Sequence, residues 1–193
     1  MNPAVSLRTL AVVLEEPQRL SLGRLDLTPP GADDLVVDIE YSGISTGTER
    51  LLWSGKMPPF PGMGYPLVPG YESVGRVVDA GEGAAARIGE RVFVPGANCF
   101  GPVRGLFGGA ASRLVVPSRR VITVDETLGE QAVLLALAAT AQHAISVAKG
   151  GVPELIVGHG VLGRLLGRLA ALNGGPVTVW ECDATRRRGA LGY

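Results

Sequence analysis

The chain has 193 residues, 46% of them hydrophobic and 19% charged, a globular balance that excludes a disordered segment. Its 18 basic and 18 acidic side chains cancel, so no basic field is present to hold nucleic acid or an anionic membrane. The length suits one sizeable domain, or one domain and part of a second.

The first 17 residues contain a short apolar run but no basic segment leading into a long apolar one, and they read as a first strand rather than a signal peptide. Short runs rich in Val, Ile and Leu then follow: Thr9–Leu14, Leu35–Tyr41, Ser73–Asp79, Arg91–Pro95 and Ser112–Val116. Gly, Pro and Asp turns separate them, with a clear loop at Pro29–Asp34. This spacing predicts a compact β-barrel or sandwich up to about Val124.

The character changes at Asp125. Thr127–Ala148 has helix composition, with Asp125 or Thr127 as N-cap and Gly150-Gly151 as the stop. Glu154–Val157 reads as a buried strand, Gly158–Gly163 as a turn and Val161–Asn173 as a helix that Gly174-Gly175 ends. Val177–Trp180 is a second buried strand. The expected domains are 1–125, a β-barrel, and 126–193, the first βαβ unit of a parallel sheet. A doubly wound sheet binds its ligand across several strands, and only two are present, so the chain reads as C-terminally truncated. The longest apolar stretch, Ala132–Ala141, is too short to span a bilayer. Cys99 and Cys182 make no metal-type cluster and read as reduced thiols of a soluble, cytoplasmic protein.

The turn between the two late strands is Gly158-His159-Gly160-Val161-Leu162-Gly163, a G-x-G-x-x-G placed directly after a strand and opening a helix. In that context Gly158 permits the tight turn, Gly160 lets the backbone approach a pyrophosphate, and Gly163 allows close helix–strand packing. The N–H groups at the helix start, from Val161 and Leu162 onward, then receive phosphate oxygens. His159, at a variable position, is expected to face solvent. Glu181 lies 18 residues past Gly163 (181 − 163), near the spacing for a carboxylate that binds the adenosine ribose hydroxyls. It would repel a 2′-phosphate and favours NAD, against which Arg186, Arg187 and Arg188 could attract one. That run also reads as the solvated face of a further helix.

Together these landmarks resemble the medium-chain dehydrogenase/reductase superfamily. Gly43-Ile44-Ser45-Thr46-Gly47-Thr48-Glu49 is similar to its G-x-C-G-T-D turn, and Gly70-Tyr71-Glu72-Ser73-Val74-Gly75 to its G-H-E-x-x-G. The resemblance implies an α/β plus β fold, a GroES-like β-barrel followed by the first βαβ unit of a Rossmann domain. It implies that the segment with Thr140 packs against a nicotinamide. Ser45 or Thr46 stands where zinc members have a cysteine, Tyr71 replaces their histidine, and Ala136 occupies the place of the other cysteine. Only Glu72 remains of a ligand set, so no metal is expected.

The longer runs Tyr41–Gly55, Met57–Glu72 and Asn98–Ala111 resemble the zinc-lacking bacteriochlorophyllide dehydrogenases within that superfamily. That resemblance implies oxidation of the 3-(1-hydroxyethyl) side chain of a bacteriochlorophyllide to 3-acetyl, with NAD as hydride acceptor. Without a metal, hydrogen-bond donors and a proton relay must serve, and the candidates are Ser45, Thr46, Thr48, Tyr71 and Glu72. Trp53, Phe60 and Tyr65 offer ring-stacking surfaces to a flat apolar substrate, and Lys56 or Arg50 could meet its propionate. Competing readings are a zinc-free NADPH-dependent quinone or enone reductase and an inactive tetrapyrrole-binding remnant. The superfamily's dimer strand lies in the part not present, so a homodimer is expected only of a longer protein.

Overall fold

A computed structural model describes residues 7–148 and 151–190. The chain divides into two compact units, Met1–Val133 and Leu134–Tyr193.

In the first unit, β1 (Arg8–Glu16) and β2 (Arg19–Asp26) form an antiparallel hairpin whose tip is Pro17-Gln18. The strand β3 (Asp34–Ser42) is followed by a short helix α1 (Thr48–Ser54). The remaining strands are β4 (Leu67–Val68), β5 (Ser73–Ala80), β6 (Arg91–Val94), β7 (Arg104–Gly105), β8 (Arg113–Pro117) and β9 (Ile122–Thr123). They make one sheet in the order β8-β3-β5-β6-β9 and a second in the order β2-β1-β4-β7. A bridge between Ala11 and Ala111 ties the two sheets at one side. The core between them takes Ala11 and Val13 from β1, Leu35 and Val37 from β3, Val92 from β6 and Leu114 from β8. In β3, β6 and β8 consecutive residues are buried, the apolar runs from which these strands were predicted.

The chain departs from the sequence reading where tertiary contacts decide. The hairpin partner β2 was not predicted, and its Leu20 and Leu22 stay 54% and 66% exposed instead of joining the core. The helix α1 forms inside what reads as a glycine turn. Ser45 Oγ accepts the N–H groups of Gly47 and Thr48, Glu49 sits in the first turn, and Gly55 closes the end at φ 70°. Its one buried residue, Leu52, joins Leu14, Leu67 and Leu106 in a second apolar cluster.

The predicted helix Thr127–Ala148 is two elements. Glu126–Leu134 is a 3-10 segment interrupted at Gly129 (φ 50°, ψ −137°), and α2 (Leu135–Val147) follows it. One cause is local and one remote: Asp125 Oδ1 accepts both the N–H and the hydroxyl of Thr127, and Arg91 donates to the Gly129 carbonyl at 2.8 Å. In the second unit α2 ends at Ala148, whose carbonyl accepts the N–H of Gly151, while Gly150 of the predicted stop lies outside the described residues. Then come β10 (Leu155–Val157), α3 (Val161–Leu172) and β11 (Thr178–Trp180). β10 and β11 pair in parallel, Leu155 opposite Thr178 and Val157 opposite Trp180. Among the described residues no helix is long and apolar enough to cross a membrane.

Candidate active site

The first unit holds a cavity of about 520 Å³. Val12, Leu14 and Leu20 of the hairpin form one wall, and α1 supplies Glu49, Arg50 and Trp53 opposite them. The two walls are joined at the hairpin tip, where the Gln18 N–H donates to the Trp53 carbonyl at 2.7 Å. Ser45 and Thr46, on the loop that leads into α1, complete one end.

Of the predicted residues, Ser45, Thr46 and Trp53 line this cavity, and Lys56, Phe60 and Tyr65 do not. The Tyr65 hydroxyl donates to the Leu52 carbonyl, and its ring packs on the Leu14–Leu52 cluster. Tyr71 meets Phe107 edge-on at 5.5 Å, and its hydroxyl lies 3.4 Å from Thr48 Oγ1. Glu72 is 4% exposed, packed so closely behind Gly43 that a Cβ there would sit 2.3 Å from Glu72 Oε2.

Glu49 was not singled out from the sequence, although its place at the acidic end of the Gly43–Glu49 motif was the available signal. Glu49 Oε2 and Glu72 Oε1 are both buried without a hydrogen-bond partner. Burial raises the Glu49 carboxyl above the usual range, against the pull of the N–H groups of Glu49, Ser45 and Gly70 and the Ser45 hydroxyl. Burial also raises Glu72, and the charge of Glu49 raises it further. For such groups the folded protein keeps protons that the unfolded chain has lost, so their linkage weakens the fold as pH rises from about 4.5, the ordinary value, to the raised one. Glu90, Asp125, Asp183 and Glu181 are shifted downward and act only below their ordinary values. Stability in urea is therefore expected to increase as pH falls through the raised values toward the ordinary carboxylate range. Glu72→Gln should flatten that slope and raise the midpoint at pH 7; an unchanged slope would remove the pair from the titration.

In the second unit the glycine turn has the predicted form. Gly158 stands at φ 96°, its N–H donates to the Trp180 carbonyl, and a Cβ on Gly163 would lie 2.0 Å from the Gly158 carbonyl oxygen. Around Gly160 a Cβ would meet nothing within 4 Å, the open space a pyrophosphate needs. Val161 and Leu162 begin α3 and are exposed. His159 does not face solvent: it is fully buried, with Nδ1 against the Arg186 carbonyl, because the chain after β11 curls back over the turn. That stretch is a series of turns rather than a further helix.

Glu181 Oε2 accepts the His159 N–H at 2.7 Å and Oε1 accepts that of Asp183 at 2.9 Å. These bonds hold its carboxyl down at about 2, so it is ionised under ordinary conditions. A second cavity of about 680 Å³ is lined by Gly158, Trp180, Glu181, Cys182 and Arg187. Arg187 is fixed there by the carbonyls of Glu181 and Cys182. Thr140, on α2, is exposed, and its hydroxyl donates back to the Ala136 carbonyl.

Residues 31–126 match the alcohol dehydrogenase GroES-like domain. The chain belongs to the medium-chain dehydrogenases. Within that family it is 58% identical over 97% of its length to the 2-desacetyl-2-hydroxyethyl bacteriochlorophyllide A dehydrogenase of Rhodobacter capsulatus, and covers 60% of that protein. It is 55% identical, again over 97% of its length, to the protein of the same name from Cereibacter sphaeroides, covering 61% of it. The chain thus spans about 60% of the length of these curated relatives. Among solved structures, a dehydrogenase from Sinorhizobium meliloti bound to NADP superposes with a TM-score of 0.76 at 28% identity, over 96% of this chain and 60% of the other.

The residues at the family's zinc positions do not fit that metal. Ser45 Oγ already accepts two backbone N–H groups, and Tyr71 and Ala136 bring no imidazole or thiolate. Among the described residues no three His, Cys, Asp or Glu gather around one point. The glycine turn does fit a dinucleotide, by the open space at Gly160 and the anchored carboxylate of Glu181.

Proposed function

We propose that this chain belongs to an NAD-dependent dehydrogenase that oxidises the 3-(1-hydroxyethyl) side chain of a bacteriochlorophyllide to 3-acetyl. The observation that carries the reading is the cavity of about 520 Å³: apolar walls from Val12, Leu14, Leu20 and Trp53, with polar groups from Ser45, Thr46 and Glu49 among them. Such a space suits an apolar ring system bearing one reactive hydroxyl. The names of the relatives that share 58% and 55% of its residues point to the same substrate.

Trp53 stacks on the ring system, and Arg50, on the same wall, meets its propionate. Ser45 and Thr46 orient the hydroxyl for loss of its proton. Gly158, Gly160 and the start of α3 at Val161, Leu162 and Gly163 hold the pyrophosphate. Glu181 takes the ribose hydroxyls, which supports NAD over NADP, and Thr140 borders the nicotinamide. The dinucleotide, when bound, supplies the hydride acceptor.

The test is to mix the protein with a 3-(1-hydroxyethyl) bacteriochlorophyllide and either NAD or NADP. A carbonyl conjugated with the ring should move the longest-wavelength absorption band to the red, with NAD preferred by about tenfold or more, since a 2′-phosphate would face the Glu181 carboxylate. Trp53→Ala should weaken tetrapyrrole binding about tenfold, the loss of one stacking anchor. Absence of both tetrapyrrole binding and spectral change would sink the reading. Preference for NADP together with reduction of a quinone or enone would favour a reductase, and the Arg187 guanidinium on the same cavity is the feature that would then matter.

A further inference from the structure

We propose that Glu49 and Glu72 work as a proton-sharing carboxylate pair, in which Glu49 accepts the hydroxyl proton of an alcohol held in the cavity and Glu72 keeps the pair's resident proton. The proposal rests on the alcohol-oxidation reading above and adds to it the group that receives the proton.

Among the described residues, Glu49 is the only carboxylate on the cavity wall. The hydroxyls around it already have partners, and that of Ser45 bonds Glu49 itself. Ser45 Oγ is held by the N–H groups of Gly47 and Thr48, and Thr48 and Tyr71 turn their hydroxyls toward each other. An aliphatic hydroxyl is also a weak base, so these groups orient a substrate better than they deprotonate it. Glu72, directly after Tyr71 and before β5, stands behind Gly43 and away from the cavity lining, where it touches no substrate and acts through Glu49 as a positioning residue.

Each carboxylate keeps one buried oxygen without a hydrogen-bond partner. When both are ionised the two carboxylates repel one another, and one retained proton removes the repulsion. Arg50 is the cation on the same wall, and Tyr71 is the other titratable side chain next to this cluster. A carboxylate withdrawn by burial is a stronger base than a solvated one, which is what removal of an alcohol proton without a metal requires.

The step balances as follows. The substrate O–H bond breaks and its proton passes to Glu49. The carbinol C–H bond breaks and its hydrogen leaves with both electrons to the oxidised nicotinamide dinucleotide. The carbon–oxygen double bond forms, so the alcohol carbon is oxidised by two electrons and the dinucleotide reduced by two.

The test uses the 193-residue chain and its Glu49→Gln, Glu49→Asp and Glu72→Gln variants, all checked for wild-type melting behaviour or better. Infrared spectra of protein labelled with carbon-13 glutamate read the protonated carboxyl stretch against pH. The wild type should retain this band above the ordinary carboxylate range, and Glu72→Gln should move its midpoint to lower pH. With substrate and dinucleotide, Glu49→Gln should lower kcat by about a hundredfold or more with tetrapyrrole affinity unchanged. Glu49→Asp should recover part of that loss, and Glu72→Gln should move the acid limb of the kcat profile to lower pH. Wild-type kcat in Glu49→Gln would overturn the acceptor role, and an unmoved infrared midpoint in Glu72→Gln would overturn the shared proton. If the protein oxidises no chlorin alcohol, the functional reading falls and the acceptor role with it, whereas the infrared midpoints still decide the shared proton.

Discussion

Replacing Gly160 by alanine is expected to weaken dinucleotide binding by about tenfold or more while leaving the melting temperature where it was. The separation of the two effects comes from the geometry of the turn. Gly160 has an extended backbone (φ −72°, ψ −169°) that any residue adopts, and a Cβ there would touch no protein atom within 4 Å. The methyl group therefore costs the fold nothing and enters only the space through which a pyrophosphate approaches. Gly163 is the opposite case. A Cβ there would sit 2.0 Å from the Gly158 carbonyl, and Gly158 at φ 96° cannot easily give way. Gly163→Ala should lower both the melting temperature and the affinity. Fluorescence titration with reduced dinucleotide, run beside a thermal melt, distinguishes them. Wild-type affinity in Gly160→Ala would mean that the turn does not cradle phosphate.

Arg91→Leu is expected to cost about 3 kcal/mol of stability in urea. Arg91 is 4% exposed; its Nε bonds Glu40 at 2.9 Å, and its other nitrogens donate to the carbonyls of Gly129 at 2.8 Å and Asp125 at 3.4 Å. Leucine would leave those two carbonyls without this donor. Glu40 would suffer less, since it is partly exposed and keeps Arg76 at 3.7 Å. Lysine, which presents no planar fork, should recover only part of the loss. The ion pair of Arg8 and Asp26, 70% and 73% exposed, gives the contrast: breaking it should change stability by less than about 0.5 kcal/mol. A loss below about 1 kcal/mol in Arg91→Leu would mean that the 3-10 segment is held by something other than this residue.

The apolar runs of the main core were legible in the sequence, whereas the alternating β2 was not. The strands around Leu35–Val37, Val92–Val94 and Leu114–Val116 bury their apolar positions against one core. The glycine turn could be read because strand, turn and helix follow one another without a break. What escaped was set by contacts remote in sequence. The two-residue strands β4, β7 and β9 exist only through their partners. The break at Gly129 is held by Arg91, 38 positions earlier. His159 was read as a surface residue because nothing in its own neighbourhood shows that Arg186 returns over it.

The same limit applied to the site. Trp53 on the cavity wall was foreseen as a bulky residue on a loop, whereas Lys56, Phe60 and Tyr65, only a few positions on, were not separable from it without the direction of α1. Glu49 was passed over because α1, in whose first turn it sits, reads as part of a turn. Its pairing with Glu72 became visible only once both carboxylates were seen buried with unmet oxygens.

The two thiols offer a practical route into the cofactor end of the molecule. Cys99 is buried, and burial pushes its thiol up to about 11, whereas Cys182 is exposed on the rim of the cavity beside Glu181. A maleimide dye attaches to thiolate, so it labels the native chain at one place, on the cavity proposed to take the dinucleotide. Its emission then follows ligand occupancy directly, without an engineered reporter and without turnover.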